Sequence, residues 1–470
     1  MKMISINRNI QSEILMTTME ELVPKDSLFR KVDKYIDFTF IYDKVKDLYC
    51  ENNGRPSIDP VVLFKIVFIQ ALDGLKSMRQ TCKKIKVDAE YRWFLGIPFG
   101  QDTPHFSTFS KNYERRFKDS DIFEEIFIEI VRQAIKYKLV DGKTLYTDST
   151  HKKANANKNK YEDKVVEVVK ERRIWLEEEI NEERKKQGKK EFVYEDKLEE
   201  KHIKVSQTDS ESGYYNRDNK EKGFMYLDHR TVDDKCNIIV DCHITKGNVH
   251  DSKPLIDRYK YIEKTFGFQI EECALDSGYD TLDIKKYLKD KNIFGVIGYR
   301  KYGTPESRKE KNKYYYEKDR DIYVNKETGE VLEYHGKINK QGYKKYESYQ
   351  KDIVITRHIK QELNDEYKDN RLSERGKKLY HKRSEHVERS FGDSKQNHGY
   401  RYAMYKGVKK NQNYTWLICS AQNMKNIVLK VSKATKNTSN NQHIFKNIIN
   451  FIEKIIKLII FSKLKPLVNF

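Results

Sequence analysis

Cysteine is scarce in this 470-residue chain: six residues, Cys50, Cys82, Cys236, Cys242, Cys273 and Cys419, with no Cys-x-x-Cys pair. That spacing excludes a readable disulfide framework or zinc cluster. The first residues, Met1 to Arg8, lack a long apolar stretch, so no secretory signal is expected and a reducing cytoplasm fits best. Long uncharged apolar runs are missing as well. The strongest, Val61 to Leu72, is too short and too interrupted to span a membrane. Acidic residues are outnumbered: 92 Lys+Arg stand against 72 Asp+Glu, a net charge of +20. Such an excess favours a polyanionic partner through Coulomb steering and counterion release. The competing reading is a lysine-rich solvated surface, since Lys, Asn, Ile and Tyr are abundant together, as in proteins of AT-rich genomes.

The length allows two or three domains. Residues from about 25 to 140 read as helical. Asp59 before Pro60 is a strong helix start, a capping side chain followed by proline in the first turn. The helix behind it is apolar nearly all round and should be buried. Ser77 caps the next helix, and Thr103 to Phe117 supplies another that ends on Lys111, Arg115 and Arg116. Short helices with a basic last one suggest a helix-turn-helix-like DNA-binding unit; a plain helical bundle with a solvated basic face is the alternative.

Three carboxylates stand in recognisable settings beyond that region. Asp148 ends the apolar run Thr144 to Thr150, and Asp276 ends Cys273 to Gly278, with Asp280 as a nearby rival. Carboxylates at strand ends lie where open α/β sheets place ligands. Glu388 lies in a helix-like segment rich in cations, Tyr380 to Lys395. At about 100° per residue, Val387 and Phe391 define its packed stripe, Glu388 and Lys395 share one edge of it, and Glu385 points away. Converging carboxylates repel unless a hard divalent cation binds them, and two such ions serve in-line displacement at phosphorus. The residues therefore point to metal-dependent cleavage and joining of DNA.

Between these acids, Glu162 to Lys186 is expected as one long charged helix with a stripe of Val165, Val168, Val169, Trp175, Leu176 and Ile180. Phe224 to Leu227 and Asn237 to Val240 suit a hairpin turning at Asp233-Asp234. His151 to Lys158 reads as a polar loop, and His250-Asp251 as either a loop hydrogen bond or an orienting pair. From Tyr299 to Arg357 tyrosine and charge alternate in short runs. Tyrosines among lysines suit stacking on unpaired bases, or equally a small β module with a tyrosine core. Near the end, Asn437 to Gln442 reads as a polar linker, followed by a tail helix from Ile444 to Leu464.

One segment carries a family resemblance: Tyr380-x-x-Arg383, then Glu388-x6-Lys395, then His398-Gly-Tyr-Arg401-Tyr402. From about Gly54 to about Asn426 the chain resembles DDE transposases of bacterial insertion sequences, in the ribonuclease-H-like superfamily that includes retroviral integrases. One departure is visible, because relatives place the arginine four residues before the glutamate and here it stands five before. The resemblance implies an α/β fold: a ribonuclease-H-like mixed-sheet core with an all-helical N-terminal domain and a β-rich insertion. The expected boundaries are 1–139 for the helical domain and 140–299 for the first part of the core. They continue with 300–360 for the insertion, 361–432 for the rest of the core and 433–470 for the linker and tail.

By resemblance, Asp148, Asp276 and Glu388 are catalytic and hold two Mg²⁺ ions, with Mn²⁺ as a substitute. Tyr380, Arg383, Lys395 and Arg401 would contact DNA in the core, and Lys111, Arg115 and Arg116 in the N-terminal domain. Expected partners are the terminal inverted repeats, target DNA and a second copy of the chain on paired ends, in a nucleoid-associated, cytoplasmic setting without membrane. A catalytically inactive or domesticated DNA-binding derivative is the alternative, and a nuclease that cleaves without joining is a more distant one. Some relatives hold a flipped base with a tryptophan in the insertion; none lies between Tyr299 and Arg357.

Overall fold

A computed structural model describes residues 16–50, 57–217, 221–299, 309, 311–350 and 353–463, with backbone alone from 436 onward. The start of the chain, Gly54 and the side chains of the expected tail helix lie outside the described residues. Two compact units are present, one of residues 1–139, 397–399 and 416–470, the other of 140–396 and 400–415.

The first unit is helical. It runs through α1 (Met19–Leu22), α2 (Leu28–Tyr35), α3 (Phe40–Val45), α4 (Pro60–Leu72), α5 (Met78–Val87), α6 (Ala89–Leu95), α7 (Ser107–Asn112) and α8 (Ile122–Lys136). Helix α4 forms the centre, with Leu63, Phe64, Ile66, Val67, Phe68 and Ile69 all buried. Its start is fixed as the sequence predicts: Asp59 Oδ1 accepts from the backbone N–H of Val61 and Val62, and Pro60 opens the first turn. The Phe64 ring packs edge-on against Phe123 and tilted against Phe117, which ties α4 to the far end of the unit. Helix α7 continues into a π-helical turn, Tyr113–Phe117, which carries Arg115 and Arg116.

In the second unit the strands are β1 (Thr144–Lys153), β2 (Tyr161–Val169), β3 (Leu198–Ser206), β4 (Gly213–Tyr215), β5 (Gly223–Asp233), β6 (Ile239–Lys246), β7 (Glu272–Leu275) and β8 (Phe294–Ile297). The central sheet has the order β4-β5-β1-β7-β8, with β6 also on β5. Strand β1 is antiparallel to β5 and parallel to β7, and β7 is parallel to β8. The sheet is therefore mixed, and α10 (Leu255–Phe266) and α11 (Leu282–Asp290) form the crossovers into its parallel half. Every residue of β5 is buried.

The long helix expected from Glu162 to Lys186 does not form. Tyr161–Val169 is a strand paired with β3, and the helix, α9, covers only Ile174–Lys186. The valines decide this: β-branched side chains at 165, 166, 168 and 169 favour a pleated strand over a helix. They do not form a packed stripe, and Val165 and Val169 are exposed, whereas Leu176 and Ile180 on α9 are buried. The polar loop expected at His151 is in part strand, since β1 runs on to Lys153.

A separate antiparallel sheet holds β9 (Tyr314–Glu317), β10 (Ile322–Asn325), β11 (Val331–Ile338), β12 (Tyr343–Glu347) and β13 (Val354–His358), in the order β13-β12-β11-β10-β9. Its core is largely tyrosine, with Tyr314, Tyr323 and Tyr346 buried around Leu332 and Ile355. Asp321 accepts hydrogen bonds from the Tyr316 and Tyr346 hydroxyls and from Lys344. Stacking on bases is thus open only to exposed rings such as Tyr315, Tyr343 and Tyr349.

The unit closes with α12 (Gln361–Leu372), α13 (Glu374–Arg383) and α14 (Arg389–Asn397), the last two joined by a π-helical turn, Ser384–Glu388. The last helix, α15, is Val408–Lys463; only its start, to Thr415, belongs to this unit, and the remainder is counted with the first. The polar linker expected at Asn437–Gln442 is part of that helix; asparagine and serine lower helix propensity by only a few tenths of a kcal/mol each. Among the described residues no helix is long and apolar enough to cross a membrane.

The Asp59 cap carries the first prediction. Asp59 also accepts from the Tyr42 hydroxyl at 2.7 Å. Asp59→Ala is expected to lower stability by about 1 kcal/mol, read as an earlier urea midpoint for loss of helical signal.

Candidate active site

The last residues paired between β1 and β7 are Thr147 and Leu275. Asp148 and Asp276 follow directly: Asp276 comes just after β7, whereas Asp148 does not end its strand as expected, because β1 continues to Lys153 on its pairing with β5, and the register sets the two residues side by side. Both strands run in the same direction, which makes this the ligand-bearing end of the parallel half of the sheet. Close approach is built in at this point. A side chain at Gly298, just past β8, would meet the Ser277 nitrogen and the Tyr380 hydroxyl at 2.8 Å. One at Gly278 would meet the Asp251 carboxylate at 2.7 Å.

Helix α13 grips both acids from above. Arg383 Nη1 donates to Asp148 Oδ2 at 2.6 Å, and the Tyr380 hydroxyl donates to Asp276 Oδ1 at 3.4 Å. The two side chains sit three residues apart, on one face of the helix. The Arg371 guanidinium lies over the Tyr380 ring at 3.7 Å and that of Arg383 at 5.1 Å. Farther along, Lys395 Nζ donates to Thr150 Oγ1 at 2.7 Å, two residues beyond Asp148 on the same face of β1.

The electrostatics follow from burial and crowding. Burial pushes the Asp148 carboxyl up; Arg383 and the Ser149 N–H oppose this, and neighbouring Asp276 adds to it. Burial likewise pulls the Lys395 ammonium down, helped by repulsion from Arg230 and opposed by Asp228. Tyr380 is held above its usual range by burial.

Rivals to the predicted acids are placed elsewhere. Asp280 is buried in an ion pair with Lys285 at 2.5 Å. Glu385 is exposed and pairs with His381 at 3.3 Å. Glu388 closes the π-helical turn and is also exposed, so burial does not separate it from Glu385. Among the described residues no three His, Cys, Asp or Glu side chains form a group that could hold a metal ion. Asp148 and Asp276 are brought together; Glu388 is not gathered with them.

The π turn bears on the five-residue spacing noted above. Residues four apart stack on one face in an α-helix, whereas in a π turn, with its i→i+5 bonds, residues five apart do so. Arg383 stands just before the turn and is buried against Asp148, whereas Glu388, the last residue of the turn, is exposed. Of the remaining predicted contacts, Arg401 is exposed, as are Lys111 and Arg115 in the helical unit. Arg116 is partly buried, bonded to Asn112 and lying over the Tyr49 ring at 4.3 Å.

Several contributors were hard to see in sequence. Asp251 accepts from Ser149 Oγ at 2.7 Å and so steadies the residue next to Asp148, which favours the orienting reading of His250-Asp251 for the aspartate alone. His250 bonds Ser252 within its own loop. Arg371 carries no signal that would single it out. Arg230 does carry one, a charged residue in the middle of a buried strand beside Asp228.

Two families match the sequence: "Transposase domain (DUF772)" over residues 17–115 and "Transposase DDE domain" over residues 337–428. The second match contains Tyr380, Arg383, Glu388 and Lys395. The chain is a transposase of the DDE type. No curated protein matches it. Among solved structures, the piggyBac transposase synaptic complex with hairpin DNA is similar at 10% identity and a TM-score of 0.35, covering 88% of this chain and 74% of that one. The Mos1 transposase paired-end complex with left transposon end is similar at 9% identity and a TM-score of 0.16, covering 56% and 73%. Both likenesses are too slight to bear on the transposase's fold or site.

The charges around Asp148 give a signed prediction for this transposase. Arg383→Met removes a neighbouring positive charge, so Asp148 should titrate at higher pH than in the parent. Asp276→Asn removes a negative one and should move it lower. Carbon-13 carboxyl titration reads both; a shift of the opposite sign in either variant would show that the groups do not face each other.

Proposed function

We propose that the transposase cleaves DNA at the ends of an insertion sequence and joins them to target DNA, using a ribonuclease-H-like core. One observation carries this reading: Asp148, within β1, and Asp276, just past the end of the parallel strand β7, follow the last residues those strands pair, and both are held by one helix through Arg383 and Tyr380. The mixed sheet and the helical first unit support the same fold assignment. The retained acid pair favours this reading over an inactive derivative.

The donors suit a hard divalent cation, because carboxylate oxygens are what Mg²⁺ and Mn²⁺ prefer. Asp148 and Asp276 would hold it; the family resemblance makes Glu388 the third ligand, although it is not gathered with the pair in this structure. Two such ions supply activation of the attacking oxygen and stabilisation of the leaving one. The chain's own groups do the rest. Arg383 Nε is buried with no hydrogen-bond partner among the described residues, which leaves a donor for a phosphate oxygen in an already charge-assisted fork. Tyr380 orients Asp276, and Lys395 and Arg401 extend positive charge along the path a DNA backbone would take. Lys111, Arg115 and Arg116 are the candidate contacts to the terminal repeat, and a second copy on paired ends completes the assembly.

Asp148→Asn, Asp276→Asn and Glu388→Gln should each abolish Mg²⁺-dependent cleavage of a terminal-repeat duplex while leaving its binding intact. Full activity of Glu388→Gln beside inactive aspartate variants would move the third ligand elsewhere, to Glu385 or Asp393.

For the helical unit, exposure divides the three basic residues. Replacing Lys111 and Arg115 with alanine should flatten the dependence of log K on log salt by about 0.9 per lost phosphate contact. Arg116→Ala should leave the slope alone and lower the melting temperature, since Arg116 is tied to Asn112 and Tyr49. An unchanged slope in the double variant would remove this surface from the DNA interface.

A further inference from the structure

Among the described residues Arg230 is the largest fully buried side chain, at 0% exposure, beside an equally buried Asp228. Its Nε and Nη2 donate to Asp228 Oδ2 at 3.0 and 2.8 Å. Its Nη1 crosses to α14, donating to Ser390 Oγ at 3.1 Å and Ser394 Oγ at 2.8 Å, with the Ser390 carbonyl at 3.4 Å. The guanidinium also lies 4.8 Å from the Phe391 ring centre. On the sheet, Arg230 is the backbone partner of Asp148.

We propose that Arg230 is a positioning residue for the transposition chemistry: from the strand beside Asp148 it clamps α14, and with it Lys395, in register with the acid pair. This rests on the reading of Asp148 and Asp276 given above.

Three features favour a clamp over plain stabilisation. Buried ion pairs are seldom a net gain over apolar residues of similar volume, and this one leaves Asp228 Oδ1 buried with no hydrogen-bond partner among the described residues. Helix α14, Arg-Ser-Phe-Gly-Asp-Ser-Lys-Gln-Asn, is a weak helix former, with Ser390, Gly392, Asp393, Ser394 and Asn397 all of modest or poor propensity. Its placement must therefore come from tertiary contacts. The two serines stand four apart on the face turned to Arg230, and Lys395 follows the second directly. A loosened α14 would let the Lys395 ammonium drift from Thr150, and small misplacements of such groups are costly in rate.

The test leaves the ion pair in place. Ser390→Ala/Ser394→Ala removes the two hydroxyl acceptors, and alanine raises helix propensity, so the helix is kept. On a duplex carrying the terminal repeat that flanks the gene, kcat for Mg²⁺-dependent cleavage should fall about tenfold or more, with KM for the DNA nearly unchanged. Amide exchange should quicken across Arg389–Asn397 while β1 and β7 keep their protection. Ser390→Thr/Ser394→Thr, which retains both hydroxyls, should recover most of the rate. An unchanged kcat overturns the proposal, and so does equal loss of protection in β1 and β7, which would make Arg230 a core brace only. Asp148→Asn run alongside separates the two ideas: if it cleaves, the acid site itself is misassigned, whereas an inactive Asp148→Asn beside an unaffected serine variant removes only the role of Arg230.

Discussion

Two carboxylates forced next to each other dominate this transposase. The β1–β7 register sets Asp148 and Asp276 beside each other, as the residues directly after the last paired couple. Burial, with the neighbouring Asp276 charge adding to it, pushes the Asp148 carboxyl up. The surroundings answer with a guanidinium on Asp148 and a hydroxyl on Asp276, both from α13. Much of the neighbouring architecture can be understood as holding that helix where its donors reach the acids.

Helix α13 and its continuation are anchored at several points. Asp234 receives hydrogen bonds from Tyr146 and from Lys382, and His386 lies within 3.5 Å of it, fixing the start of the π turn beside the end of β5. Val387 and Phe391 bury the apolar side of the segment, and Arg230 holds the two serines beyond it. A segment with little intrinsic helicity is thereby given a defined position.

The five-stranded insertion shows how the same residues serve different ends according to burial. Its tyrosines suited either stacking on bases or a small β module with a tyrosine core; Tyr314, Tyr323 and Tyr346 form such a core, and Asp321 satisfies the hydroxyls of Tyr316 and Tyr346. A module this small has few aliphatic residues to bury, and a tyrosine ring supplies apolar area provided that its hydroxyl finds a partner.

Local signals were legible where one segment decides its own conformation. Asp59-Pro60 marked the start of α4, the apolar runs before Asp148 and Asp276 marked adjoining strands, and Gly278 separated Asp276 from Asp280. Charge and the Tyr380–Lys395 pattern pointed to DNA and to the family. Pairing was not legible, because it depends on residues far apart in sequence. Valines read as a helical stripe became β2 once β3, some thirty residues on, offered a partner strand. The side-by-side placement of Asp148 and Asp276, the closing of Arg383 onto Asp148 across 235 residues, and the burial of Arg230 against α14 were likewise tertiary decisions. A single sequence records which side chains can carry charge or fill a core. Which charges must neutralise one another is set only when strand register and helix packing bring them within a few ångströms.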